Sequence, residues 1–306
     1  MILMLLVIYM LSSVGSTSFS KATSKVVSGA SRAKYSLFLI VNGLTACFFF
    51  WIFGGFKLDV NLPTLIYSAI YALIVALILI LTMIAYRMVS VSGVNIIKSG
   101  CGLLGTSAIG FILFSEELSF NSVLRITIMT AAIVFTFIDS RCKDGGDASV
   151  KRGAGERRAG SVSSLAIVLI LLVAVSCANT VTLKYYTMDT RVADDNSFFF
   201  LTNLFISAGC AVVLIFEALA AKGRISEASE IFKPRALVSI VGNTLCSNVG
   251  SLVGILLLAQ MQVSVYTPVT SALGIVAGVI GSLVFRERLG VFSYLAAAAA
   301  IIAVII

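Results

Sequence analysis

The chain has 306 residues, of which 59% are hydrophobic and 12% charged, with a mean hydropathy of +1.07 and a formal net charge of +8. An ordinary soluble domain carries about a quarter charged residues, and here the apolar excess comes in long runs, which excludes a water-soluble fold for nearly the whole chain. Histidine is absent, which removes imidazole as general base, metal ligand or pH switch.

A helix needs about 20 mainly apolar residues to cross roughly 30 Å of hydrocarbon, and ten such spans are predicted. The first, Met1–Ser20, has no basic leader and is followed by a positive cluster instead of a small-residue cleavage site, so it is expected to stay as a helix. Tyr35–Phe56, Leu62–Tyr86, Val89–Phe114 and Asn121–Ile138 follow. A charged, glycine-rich stretch then interrupts the pattern, with Arg141-Cys142-Lys143-Asp144-Gly145-Gly146 and Arg157-Arg158; such composition builds no core and suits a flexible linker. The remaining spans are Ser163–Tyr185, Ser197–Ala220, Ala236–Gln260, Val263–Phe285 and Val291–Ile306. The six cysteines, Cys47, Cys101, Cys142, Cys177, Cys210 and Cys246, have no metal-ligand or redox spacing. Five of them lie in apolar runs, where cysteine acts as a small apolar residue.

The two sets of five spans resemble each other. Phe114-Ser115-Glu116-Glu117-Leu118 closes the fourth span and Phe285-Arg286-Glu287-Arg288-Leu289 the ninth, at an offset of 171 that also relates Gly110 to Gly281. Ser36, Phe38 and Asn42 of the second span correspond to Ser197, Phe199 and Asn203 of the seventh. With five spans per half, a duplicated second half enters from the opposite face. The expected fold is therefore an all-α membrane fold of ten transmembrane helices, arranged as two inverted five-helix repeats around a central cavity. Residues 1–140 form the first repeat, 141–161 the linker and 162–306 the second repeat.

Lysine and arginine in loops set the orientation. Odd-numbered loops hold 17 of the 22, even-numbered loops four, and Lys98 lies inside a span. This bias predicts odd loops in the cytoplasm and both termini outside, in the cell (inner) membrane. The positive charge is a topology signal, and no nucleic-acid partner is expected.

Lys98 is the most informative residue, inside the fourth span in Gly93-Val94-Asn95-Ile96-Ile97-Lys98-Ser99-Gly100. A charge deep in a span costs about 2.5–3.5 kcal/mol on insertion scales and usually faces a water-filled cavity or a partner. No intramembrane carboxylate pairs with it in the sequence, so it is expected to attract an anionic substrate group; snorkelling to the interface is the alternative. Asn42 and Asn203 are candidates to bind substrate hydroxyls or bases, and Asn95, Asn179, Asn243, Tyr266 and Thr267 to line the same site. For each, hydrogen bonding between helices is the competing role. Asn248 is a further polar candidate. Lys21 and Lys184, at the ends of the first and sixth spans, are candidates for the cavity mouth, against a solvated interfacial role. Gly250, Gly254, Gly274 and Gly278 are spaced for close helix packing. No cofactor, metal or catalytic residue is expected.

The layout of ten spans in two halves, with Glu116-Glu117-Leu118 and Glu287-Arg288-Leu289 each opening onto another apolar span, resembles the drug/metabolite transporter superfamily. Within it the chain looks like the EamA-type members, related to nucleotide-sugar transporters. The two acidic turns are similar to the family's G-E-x-L turn, with Ser115 and Arg286 in place of its glycine, and Pro268 is similar to the family's proline in the ninth span. Some nucleotide-sugar transporters have a lysine in the span that carries Lys98. The resemblance implies a secondary transporter that moves a small polar, anionic or zwitterionic, metabolite by alternating access. Its partners are then the bilayer and a small-molecule substrate, with a homodimer left open. The chain lacks a Walker-type phosphate loop, which speaks against direct ATP drive. The alternatives are an exporter of lipophilic or cationic drugs, disfavoured by the absence of an acid in the first span, and a non-transporting subunit of a membrane complex. An enzyme is not expected, since neither histidine nor clustered intramembrane acids supply a base or nucleophile.

Overall fold

The computed structural model of the protein describes residues 2–27, 32–88, 162–220, 231–284 and 291–305, together with most of 120–135. These residues are helical apart from short turns, and no strand occurs among them. The helices are α1 (Ile2–Val27), α2 (Arg32–Phe53), α3 (Leu62–Met88), α4 (Val162–Met188), α5 (Asp195–Ala220), α6 (Pro234–Gln260), α7 (Val263–Val284) and α8 (Val291–Ile305). Further helical residues lie between 120 and 135. Among the described residues, six segments are long and apolar enough to cross a membrane: Ile2–Ser20, Lys34–Phe53, Leu62–Thr82, Ile170–Met188, Asp195–Phe216 and Pro234–Gln260. Their outward faces are apolar, with Leu3, Met4, Val7 and Leu11 exposed on α1 and Val212, Ile215, Phe216 and Leu219 on α5. Exposed apolar faces on helices of this length fit an integral membrane protein.

Helix and apolar run do not end together. α1 continues past Ser20 to Val27 through Lys21 and Lys25, because lysines at an interface suit a helix as well as any loop does. α2 stops earlier than its apolar run, at Phe53. There Gly55 and Phe56 take positive φ of 64° and 61°, the left-handed geometry that commonly ends helices. The Phe56 amide donates to the Trp51 carbonyl at 3.0 Å, and its ring meets the Trp51 indole edge-on at 5.0 Å. The expected fourth span, the linker and both acidic turns lie outside the described residues.

The described chain divides into two compact units, one of Met1–Leu77 with Val181–Gln260 and one of Ile78–Thr180 with Met261–Ile306. Each draws on segments before and after residue 141. In the first unit α1 packs along α6 and α2 along α5, with α2 also touching α6. A Cβ placed on Gly250 would lie 3.6 Å from Ser12, whereas one on Gly242 would lie 2.8 Å from the Phe19 ring, so α1 and α6 run antiparallel. Phe50 stacks on Phe199 at 5.0 Å while Gly43 faces Ser207, so α2 and α5 are antiparallel too. Tyr186 of α4 stacks on Phe198 at 4.1 Å, and Tyr71 of α3 approaches Phe198 at 5.2 Å. In the second unit α7 packs on α8. Buried Ala272 and Ile275 meet Ile126 and Ile128, and Phe135 stacks on Phe292 at 6.3 Å.

Candidate functional site

Polar residues within the spans of the first unit collect on α6 and on the helices it touches. Small residues make this approach possible. α6 carries Gly242, Cys246, Gly250 and Gly254 at four-residue spacing, and α1 answers with Ser12, Ser16 and Ser20. A Cβ on Gly15 would lie 2.6 Å from the Cys246 sulfur, so α1 can pass this close only with glycine there. Across this contact the hydroxyls of Ser16 and Ser20 donate to Asn243 Oδ1 at 3.1 and 2.8 Å. Around the helix, the Thr244 hydroxyl lies 2.6 Å from Asn42 Oδ1 and 2.8 Å from the Ile240 carbonyl, sharing its one hydrogen between them. One turn on, Asn248 is 8% exposed, and its Nδ2 is buried without a hydrogen-bond partner.

The candidate site residues divide between the units. Asn42, Asn203, Asn243 and Lys184 belong to the first. Asn42 is joined to Thr244, and Asn243 is buried and tied to α1. Half-buried Asn203 donates its amide to the Phe199 carbonyl of its own helix at 2.8 Å. Half-buried Lys184 donates to the Leu258 carbonyl at 3.4 Å, which ties the end of α4 to α6. Asn179, Tyr266 and Thr267 belong to the second unit: Asn179 and Tyr266 are half-buried, and Thr267 is buried with its hydroxyl unpartnered. Lys21 lies on α1, whereas Lys98 and Asn95 fall outside the described residues.

Glycine spacing identified part of the packing. Gly250 meets α1 at Ser12, but a Cβ on Gly278 would find open space among the described residues. Gly254 is buried and Gly274 half-buried. The closest approaches are at Gly15, Gly43 and Gly242. Extending the search from glycine pairs to any small residue at four-residue spacing, serine and cysteine included, would have found the α1–α6 seam.

Charge is divided between the two ends of the first unit. Successive spans alternate in direction, so the C-terminal end of α1 lies with the N-terminal ends of α2 and α6. Lys21, Lys25, Arg32, Lys34, Lys233 and Arg235 are found there, together with Glu217 near the C-terminal end of α5. At the opposite end, the turn after α2 is fastened to the turn before α5. Asn61 donates to the Arg191 carbonyl at 2.8 Å, the Ala193 amide to Thr64 at 2.7 Å, and the Asp59 amide to Ser197 at 2.9 Å. Asp189 accepts from the Arg191 guanidinium at 2.9 and 2.8 Å and from its backbone amide at 3.0 Å. These bonds hold its carboxyl at about 2, below the usual carboxylate range.

No protein-family model matches the chain, and no curated protein does. Twenty-seven chains of solved structures match. One of them, a crystal structure, is similar over 98% of this chain and 96% of its own, with a TM-score of 0.60 at 12% identity. At that identity the likeness bears on fold alone. The chain is an all-α protein whose long apolar helices fit an integral membrane protein, with a fold shared by proteins of known structure.

Proposed function

We propose that this protein is a secondary transporter, built as two inverted five-helix repeats, which moves a small polar, anionic or zwitterionic, metabolite by alternating access. One observation carries the reading. The matched residues Ser36, Phe38 and Asn42 and Ser197, Phe199 and Asn203 lie on α2 and α5, which run antiparallel. Their closest approach is at Gly43, where a Cβ would meet Ser207 and lie 2.9 Å from the Asn203 carbonyl. If a two-fold axis in the membrane plane relates the halves, matched positions must face each other where these helices cross, and Gly43 directly follows Asn42. Burial agrees: Ser36, Ser197, Phe38 and Phe199 are buried, whereas Asn42 and Asn203 are half-buried.

The contacts of α6 favour the same arrangement. Exchange of the halves relates α1 to α4 and α6 to α3. The contact of α2 with α6 at Asn42 then corresponds to that of α5 with α3 at Phe198 and Tyr71. Inverted repeats of this kind bind their substrates near mid-membrane. The basic end, where α1 meets α2, is the cytoplasmic face by the positive-inside rule, with the termini outside. The resemblance to the EamA-type drug/metabolite transporters supports the same activity, and no catalytic role is assigned.

The test measures thermal stability of the purified protein against anionic, zwitterionic and cationic metabolites, for wild type and Lys98→Ala, because a ligand of the folded state raises the midpoint by mass action. Uptake of every stabilising compound into proteoliposomes follows. Stabilisation by anions that is lost in Lys98→Ala, with saturable uptake, is expected. Stabilisation by cations or lipophilic drugs alone favours the exporter alternative, and binding without flux favours a non-transporting subunit.

A further inference from the structure

Asn248 holds a donor that the fold leaves unused. Its Nδ2 is buried without a partner, on a residue 8% exposed. Buried amides in native structures are nearly always hydrogen-bonded, and an orphan carries a desolvation penalty. With 100° between successive residues, Thr244 and Asn248 lie one turn apart on one face of α6. That face is roughly opposite the stripe of Gly242, Cys246 and Gly250 that meets α1.

One turn before Asn248, the single hydroxyl hydrogen of Thr244 is shared between Asn42 Oδ1 and the Ile240 carbonyl. Neither α1, α2 nor α6 contains an acidic residue. A cation would therefore find no counter-charge on these three helices, whereas an oxygen acceptor would meet a donor already desolvated.

We propose that Asn248, one turn along α6 from the Thr244–Asn42 bond, is a substrate-recognising residue that donates its side-chain amide to a carbonyl, carboxylate or phosphate oxygen of the transported solute. The inference rests on the transport reading and narrows it to solutes bearing oxygen acceptors. Binding is selective because a buried donor rejects a ligand that cannot pair with it far more strongly than an apolar wall rejects a misfit.

The experiment compares wild type, Asn248→Leu, Asn248→Ala and Asn248→Asp by thermal unfolding in detergent, with three matched probes at millimolar concentration. These are glutarate, which presents acceptors only, glutaramide, which presents both, and 1,5-diaminopentane, a donor-only dication. Glutarate and glutaramide are expected to raise the wild-type midpoint and the diamine to leave it unchanged. In the leucine and alanine variants the ligand-induced rise disappears. Without ligand, Asn248→Leu unfolds at the same or a higher temperature than wild type, because it removes an unpaired polar group. Asn248→Asp, which replaces donor by acceptor, loses the response to glutarate and gains one to the diamine.

The proposal is overturned if Asn248→Leu and Asn248→Ala both unfold at lower temperature without ligand, since the amide then holds helices together. It is also overturned if the wild type ignores both acceptor probes or if their effect survives in both apolar variants. Vesicle flux separates the two readings. Acceptor binding that depends on Asn248 but brings no flux removes transport and leaves the site, whereas flux of an acceptor solute unchanged in Asn248→Ala removes the site and leaves transport.

Discussion

Asp189 and Arg191 form a two-residue clasp at the mouth of the turn between α4 and α5. The Asp189 carboxyl accepts three hydrogen bonds from one neighbour, and its pKa falls from the usual 3.8 to about 2. A group whose pKa is lowered by folding contributes stability above its unfolded pKa and loses it as pH falls through the folded value. Asp189→Asn should therefore lower the unfolding midpoint by an amount constant from pH 7 to about 4.5, and wild type and variant should converge as the pH drops towards 2. A pH series of thermal unfolding curves checks this, and a difference that widens on acidification would contradict it. Asn243 poses a different question, because it accepts from two serines across the α1–α6 contact. Hydrogen bonds between membrane helices average about 0.6 kcal/mol and reach about 1.7. Asn243→Leu is expected to cost about 1 kcal/mol in reversible unfolding from detergent, and no measurable loss would mean that the serine hydroxyls return to their own helix at no cost.

Helices in lipid gain little from hiding apolar faces from one another, so close packing and small residues decide which of them pair. The structure has both ends of that scale. A Cβ at Gly43 would lie 2.9 Å from the backbone oxygen of Asn203, which cannot swing aside as a side chain can. Gly43→Ala should therefore force α2 and α5 apart, at about 1–3 kcal/mol, as overpacking does elsewhere. At Gly209, further along α5, an added Cβ meets nothing within 4 Å. There alanine should stabilise by up to about 1 kcal/mol, the usual gain over glycine inside a helix. The two variants should thus shift the unfolding midpoint in opposite directions. Equal effects would refute the antiparallel α2–α5 contact as the tight one. At this scale glycine pairs in the sequence pointed to Gly250 and missed Gly15, Gly43 and Gly242, whose partners are serine, cysteine and phenylalanine residues about 160 to 230 positions away.

For the molecule as a whole, the proposed orientation rests on the positive-inside rule applied to the basic end of the first unit. If the basic end of the first unit is cytoplasmic, a single cysteine placed in the 141–161 linker of a cysteine-free variant should react with a membrane-impermeant maleimide only after cells are opened. One placed at the N-terminus should react in intact cells. The reverse pattern would invert the proposed orientation.

The sequence by itself determined that the chain belongs in a membrane and roughly where its described helices run. Spanning a bilayer demands local length and apolarity, and every window of about 20 residues reports on both. It also brought Asn42, Asn203 and Asn243 to notice, because polar side chains stand out within apolar runs. Only the tertiary structure decided what those residues do. Asn203 turns its amide to its own helix and Asn243 joins α1, whereas Asn248, no different from them in sequence, keeps an unpaired donor. The reason is physical. In a soluble helix, alternation of polar and apolar residues marks the buried face, but lipid and protein interior are equally apolar, so the pattern that would assign faces is missing. Partners, crossing points and the direction of each amide are then fixed by the fit of small residues far apart in the chain.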